Sequence, residues 1–199
     1  MKELKVKITF TDDILGSQPK EEEIYREYIA SKAPDAANIE SEVAALGVDE
    51  VVDKGLTVFP KTEDGIQFLY DYQIKGFFKD SCSMLARVGD TKSSKLKAYK
   101  KIIDGVIFVT PRVNPITLSE GSKVELCQRP LRAQTAQGER IALSISECIT
   151  AGATIEFTVQ CLVDDHVDIV REWLDYGKLR GMGQWRNSGK GRFIWEEVA

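Results

Sequence analysis

Alternation opens the chain: Leu4, Val6, Ile8 and Phe10 are apolar and Lys5, Lys7 and Thr9 between them are polar, which predicts a half-buried strand over Leu4 to Phe10. Residues 11 to 57 change character. Glu21 to Ala33 and Ile39 to Leu46 carry the spacing of short amphipathic helices, punctuated by Pro19, Pro34 and Gly47, so this stretch reads as an acidic helical insertion. Thr57 to Phe59 and Gln67 to Tyr70 predict a hairpin turning at Glu63, Asp64 and Gly65, and Gln73 to Val88 then places Ile74, Phe77, Phe78, Met84 and Leu85 at helical spacing. Ser93 to Ile103 predicts a cationic helix leading into a strand over Val106 to Val109, and Pro111 and Pro115 mark a loop. Lys123 to Leu131 and Glu139 to Ile145 fit two strands joined across Gln134 to Gly138, and Thr154 to Leu162 alternates again after the turn at Ala151 and Gly152. Asp164 or Asp165 caps a helix whose Ile169, Val170, Trp173 and Leu174 form one apolar stripe; a glycine loop follows, and Arg192 to Val198 closes the chain as a strand. Strand, helix, strands, helix, strand is the order of an α+β split βαβ sandwich with its helices on one face.

Composition adds limits to that outline. With 199 residues, 43% apolar and 29% charged, the chain can bury a core in one large or two small domains. The formal net charge of −4 excludes coating of nucleic acid by bulk charge, so a polyanion must be held by a local patch. Charge is polarised: acids gather in the first third, cations over Lys92 to Lys101, Arg129 to Arg140 and the last glycine loop. No apolar run spans a bilayer and the N-terminus lacks the stretch of a secretory signal, so the expectation is a cytoplasmic protein without a membrane partner. Cys82, Cys127, Cys148 and Cys161 show no metal-ligand spacing and read as small buried hydrophobes; no metal and no cofactor are expected.

The densest chemistry lies near the C-terminus, where Gly181, Gly183, Gly189 and Gly191 punctuate a loop flanked by Lys178, Arg180, Arg186, Lys190 and Arg192. Glycine admits positive φ and close backbone approach, and N–H groups beside cations make a phosphate cradle; the other reading is a tight turn that binds nothing. Trp185 is either a stacking platform for an unpaired base or a lid on the core. The candidate nucleic-acid contacts in this segment are Arg180, Gly181, Gly183, Trp185, Arg186, Asn187, Ser188, Gly189, Lys190 and Arg192. Lys75 and Lys79, four apart beside Gly76, suit a phosphodiester backbone or a solvated helix face. Arg129, Arg132 and Arg140 alternate with Gln128, Gln134 and Gln137 around the expected hairpin, where guanidinium and amide groups suit phosphates and base edges.

In its order of elements and its loop, the chain resembles the RAMP superfamily, the ferredoxin-like or RRM-like RNA-binding subunits and processing nucleases of CRISPR systems. The resemblance is carried by Gly181, Met182, Gly183, Gly189, Lys190 and Gly191 between the last helix and last strand. It is carried also by Phe68 to Tyr70 with Lys75, Gly76 and Lys79, and by Glu139 to Ala142 with Glu147 and Ala151 to Phe157. It implies a ferredoxin-like/RRM-like βαββαβ core in one domain over 1–199, with 11–57 as a helical insertion and 111–140 as a hairpin or thumb-like extension. Taken with the residues, it leads to the expectation of a non-catalytic protein that grips single-stranded RNA or DNA, RNA the more expected, across the face of the sheet, with Trp185 or Tyr72 stacking a base. Its expected partners are further copies of itself or other RAMP-like subunits. Two other classes stand beside this one: an anti-defence protein that mimics or blocks a CRISPR subunit, and a metal-dependent endoribonuclease using Asp12 and Asp13. The family's processing nucleases use a histidine near the first helix, and the only histidine here is His166.

Overall fold

Apolar residues on alternate positions bury one side of the first strand and leave polar residues on the other. The computed structural model describes residues 1–20, 56–135 and 138–198, and the side chains of these except 131–143. The helices expected over Glu21 to Ala33 and Ile39 to Leu46 lie outside the described residues. In chain order the described strands are β1 (Lys2–Phe10), β2 (Ile14–Leu15), β3 (Gln18–Pro19), β4 (Leu56–Val58), β5 (Phe68–Tyr70), β6 (Ile107–Thr110), β7 (Val113–Pro115), β8 (Val124–Thr135), β9 (Gly138–Ile149), β10 (Thr154–Cys161) and β11 (Phe193–Glu197). The described helices are α1 (Asp71–Leu85), α2 (Lys92–Lys95), α3 (Tyr99–Val106) and α4 (His166–Arg180).

The chain divides into two compact units, one of Met1–Ile14, Pro60–Lys123 and Ile149–Ala199, the other of Leu15–Phe59 and Val124–Cys148. In the first, four strands form an antiparallel sheet in the order β11-β1-β10-β6. Its buried face carries Leu4, Val6, Ile8 and Phe10 from β1 and Ile155, Phe157 and Val159 from β10. Helix α1 covers that face with Ile74, Phe77, Phe78, Ser81 and Cys82, and α4 with Val167, Val170, Trp173, Leu174 and Gly177. Both sets follow the i, i+3, i+4, i+7 spacing that puts side chains on one helix face. Phe78 meets Trp173 at 5.5 Å between ring centroids, and Phe77 meets Phe193 at 5.1 Å. Each fully buried aromatic of this kind contributes about 2–3 kcal/mol through the area it removes from water. Gly177 is dictated by packing, since a Cβ there would stand 2.2 Å from the Phe193 ring.

The expected cationic helix over Ser93 to Ile103 is broken in two, α2 and α3, where Ala98 takes φ +51. The first turn of α2 is tied to α4. Glu172 of α4 accepts from the N–H groups of Lys92 and Ser93, at 2.7 and 3.0 Å, and Trp173 Nε1 donates to Ser93 Oγ at 2.9 Å. The hairpin expected between Thr57 to Phe59 and Gln67 to Tyr70 is also corrected. A turn does form, with Gly65 N–H donating to Thr62 O and a bridge between Lys61 and Gln67. Strand β4, however, pairs with β3 and β9, while β5 pairs antiparallel with β7, inside the segment the two prolines marked as a loop.

In the second unit the strands run in the order β2-β9-β4-β3, with β8 paired to β9. The two long strands β8 and β9 occupy the stretch where the sequence pattern called for a hairpin. Glu147 is buried among them and accepts from Phe59 N–H at 2.9 Å.

Candidate nucleic-acid interface

The glycine loop emerges where α4 stops. Gly181 takes φ +70 and its N–H returns to Gly177 O at 3.0 Å, so the helix ends at a residue with no Cβ to oppose the left-handed turn. The two ends of the loop are then sewn together. Met182 N–H donates to Gly191 O at 2.9 Å, and Gly191 N–H donates to Asp13 O at 2.7 Å. A Cβ on Gly191 would fall 1.9 Å from Met182 O, so the spacing of glycines reflects backbone packed against backbone. The amides of Gly181, Met182, Gly189 and Gly191 are therefore spent within the chain, whereas the sequence alone offered them to a phosphate.

What the closed loop presents outward is its middle. Trp185 has φ +55, a left-handed conformation that costs a non-glycine residue on the order of 1 kcal/mol, and its side chain is 40% exposed. Arg186–Ser188 form one turn of 3₁₀ helix, closed by Ser188 and Gly189 N–H groups on the carbonyls of Trp185 and Arg186. An open cleft of about 350 Å³ is lined by Arg180, Gly183, Gln184, Trp185, Arg186 and Asn187.

Asp80 of α1 organises the charges of that cleft. Arg180 donates to it through Nε at 2.8 Å and Arg186 through Nη1 at 2.6 Å, and Arg180 Nη1 also reaches Asn187 Oδ1 at 3.1 Å. Hydrogen bonding to Asp80 raises the Arg180 guanidinium above its ordinary value. Two guanidinium groups thus share one carboxylate, and the cluster keeps one positive charge beside an exposed indole.

The other candidates are distributed unequally. Lys190 is paired with Asp13, whose Oδ1 also accepts from Ala151 N–H at 3.3 Å. Arg192 is exposed and lies over Gly189, its Cζ 3.3 Å from where a Cβ would sit. Lys79 pairs with Asp104 at 2.6 Å, and Lys75 donates to Asp104 O at 3.3 Å while its Nζ stands 5.2 Å from the Phe108 ring centroid. Burial holds the Lys75 ammonium below the ordinary lysine range, with Asp104 opposing it. In the second unit Arg129 is buried at 7% exposure; Arg132 lies on β8 and Arg140 on β9, their side chains outside the described residues. Asp80, the residue that joins the loop to α1, escaped sequence reasoning because it lies 100 and 106 residues from its partners.

The open face of the four-stranded sheet carries compensated charge. Lys7 sits between Glu156 and Glu196 at 4.0 and 3.8 Å, and Gln160 donates to Glu3 at 2.9 Å. Asp13, considered from the sequence as a metal ligand, has a lysine ammonium on its carboxylate. No group of three or more metal-ligating side chains occurs among the described residues, and no described helix is long and apolar enough to cross a membrane.

No protein-family model matches the chain, and no curated protein matches it in sequence. Among solved structures it is similar to a chain of "Cryo-EM structure of the Type III-B Cmr-beta bound to cognate target RNA", at TM-score 0.53 and 12% identity, over 100% of this chain and 60% of that one. A chain of "Type IV-B CRISPR Complex" aligns at TM-score 0.48 and 10% identity, over 100% and 91%. "Crystal structure of Cmr6 from Pyrococcus furiosus" aligns at TM-score 0.46 and 10% identity, over 100% and 98%. The first likeness is one of fold alone, and this chain spans 60% of the length of that relative.

Proposed function

We propose that this is a RAMP-type protein that binds single-stranded nucleic acid, RNA in preference to DNA, without cutting it, beside RAMP-like subunits or further copies of itself in a ribonucleoprotein. The single observation that carries the reading is the cleft at the glycine loop, where Arg180 and Arg186 share Asp80 next to the exposed Trp185. A phosphate placed there meets an uncompensated positive charge, and the neighbouring base meets an aromatic plane, the combination by which single strands are held with little sequence preference. Arg192, exposed at the exit of the loop, continues the path. In this reading β1, α1, β6, β10, α4 and β11 constitute a ferredoxin-like βαββαβ core, with 111–140 as a hairpin or thumb-like extension. The similarity to a chain from an assembly bound to target RNA supports the choice of RNA.

The paired charges of the open sheet face move the grip away from that face and onto the loop end of the helices. Cleavage through Asp13 is disfavoured by Lys190, which already neutralises its carboxylate. Fluorescence anisotropy with a labelled single-stranded RNA tests the reading: wild type binds at low salt, Arg186→Ala with Arg192→Ala weakens binding at least several-fold, and unchanged affinity in that variant rejects it.

A further inference from the structure

Cations and acids are matched over much of the first unit. Lys79 meets Asp104, Lys92 meets Asp168, and the two arginines of the cleft share Asp80. One stretch departs from this. Arg87, Lys95, Lys97, Lys100 and Lys101 are all exposed, and none pairs with a carboxylate among the described residues. The acids of the neighbouring elements are already engaged: Asp104 by Lys79, Asp168 by Lys92 and Arg171, and Glu172 by the N–H groups of Lys92 and Ser93. Within the stretch only Asp90 remains, so five cations stand against one acid, a local charge of +4 in a chain whose net charge is −4.

We propose that Lys95, Lys97, Lys100 and Lys101, on α2, α3 and the turn between them, form a second contact surface for the bound strand, made to its phosphates alone. Both short helices are seated on the unit, since Ser93 of α2 and Ile103 of α3 are fully buried and Thr91 Oγ1 accepts from Ser94 N–H at 3.0 Å. The ammonium groups are thus carried outward on an ordered base. A lysine meets phosphate as a hydrated point charge without fixed geometry, so such a surface takes a polyanion of any sequence, and no acid has to be displaced when the strand arrives. Helix α4 relates this surface to the cleft: Glu172 bonds to α2 and Arg180 lines the cleft. Eight residues of helix separate the two, about 12 Å at 1.5 Å per residue. About four nucleotides at 3.4 Å each cover that length, so one longer strand reaches both surfaces.

The inference rests on the single-strand reading above, and its test separates the two. Binding of a long labelled oligouridylate is measured across a salt series for wild type, for a variant with all four lysines changed to Gln, for one with all four changed to Arg, and for Arg186→Ala with Arg192→Ala. The Gln variant binds more weakly at low salt, and its slope is shallower by about 0.7 for each phosphate released, about 1.4 to 2.8 for two to four contacts. The Arg variant, which keeps the charge, retains the wild-type slope. Slope and affinity unchanged in the Gln variant, with binding weakened in the loop variant, overturn this inference and leave the cleft standing. Binding weakened in the Gln variant and unchanged in the loop variant keeps the lysine contact and overturns the loop reading. RNA binding unchanged in the Gln variant, with its self-association altered on sizing, assigns the lysines to an acidic protein surface and overturns the inference. Wild type that binds no strand overturns both.

Discussion

Arg186 donates through Nη1 to Asp80 Oδ2 at 2.6 Å, a bond that fastens the middle of the glycine loop to α1 across 106 residues of chain. Because Arg180 uses the same carboxylate, one acid positions two guanidinium groups and leaves their second charge uncompensated. Loop shape and cleft electrostatics therefore depend on one side chain.

Asp80→Asn preserves the volume of that side chain and removes its charge. The two arginine side chains are only 23% and 28% exposed, so they would be left as close like charges with little water to screen them. The expected loss of stability is about 1–3 kcal/mol in urea unfolding. Arg186→Gln in the same background restores part of it by removing the repulsion. Unchanged stability in Asp80→Asn would show that the loop is anchored elsewhere.

The glycines differ in what they permit. Gly191→Ala places a Cβ 1.9 Å from Met182 O at φ +71, so backbone must move, and the expected destabilisation is about 3 kcal/mol or more. Gly121→Ala faces the same kind of positive φ, +94, but with open space around it, and costs on the order of 1 kcal/mol. Equal thermal shifts for the two would contradict the backbone-to-backbone packing of the loop ends.

Much of the fold was legible because it is written in short periods. Alternation from Leu4 to Phe10 became β1, and the spacing of Ile74, Phe77 and Phe78 became the buried face of α1. The order of elements led to an α+β chain, and the described elements are of that class. The errors fall where partners are distant. Strand β5 pairs with residues 113–115 through non-local bonds that no window around Gln67 displays, and α2, whose first N–H groups bond to Glu172 of another helix, is separated from α3 at Ala98. The same applies to the site. Glycines and cations stand out in a linear reading, but the acids that compensate them, Asp80, Asp13 and Asp104, come from other elements, so the reading saw the positive charge and missed its neutralisation.

Acid sensitivity follows from two exposed carboxylates. Hydrogen bonding from Lys79 holds Asp104 below its ordinary value of 3.8, and Lys92 followed by Arg171 does the same for Asp168. A folded-state value below the unfolded one stabilises above pH 3.8, and that contribution is lost as pH falls through the lowered folded value. Both groups are solvent-screened, so the effect is modest. Stability measured on the acid side should fall less steeply in the Asp104→Asn, Asp168→Asn double variant than in wild type; parallel curves would remove these pairs from the account.

Trp185 and Trp173 offer a contrast within one molecule, 40% exposed against fully buried. An aqueous quencher should therefore reach the fluorescence of Trp185 and spare that of Trp173. Addition of single-stranded RNA should shield the accessible fraction in wild type, and Trp185→Phe should abolish that change. Shielding that persists in Trp185→Phe would place the strand on another surface.

The most direct test is the salt dependence of single-stranded RNA affinity in wild type, Trp185→Ala and Arg192→Ala, since Arg192 is exposed and holds no carboxylate among the described residues. Wild type should lose affinity linearly on logarithmic axes, with a slope of about −0.7 for each phosphate contacted. Arg192→Ala should make that slope shallower by about one such step. Trp185→Ala should weaken binding about 5- to 100-fold with the slope intact. Affinity that ignores salt, or slopes and affinities identical in all three proteins, would contradict a strand held at the glycine loop.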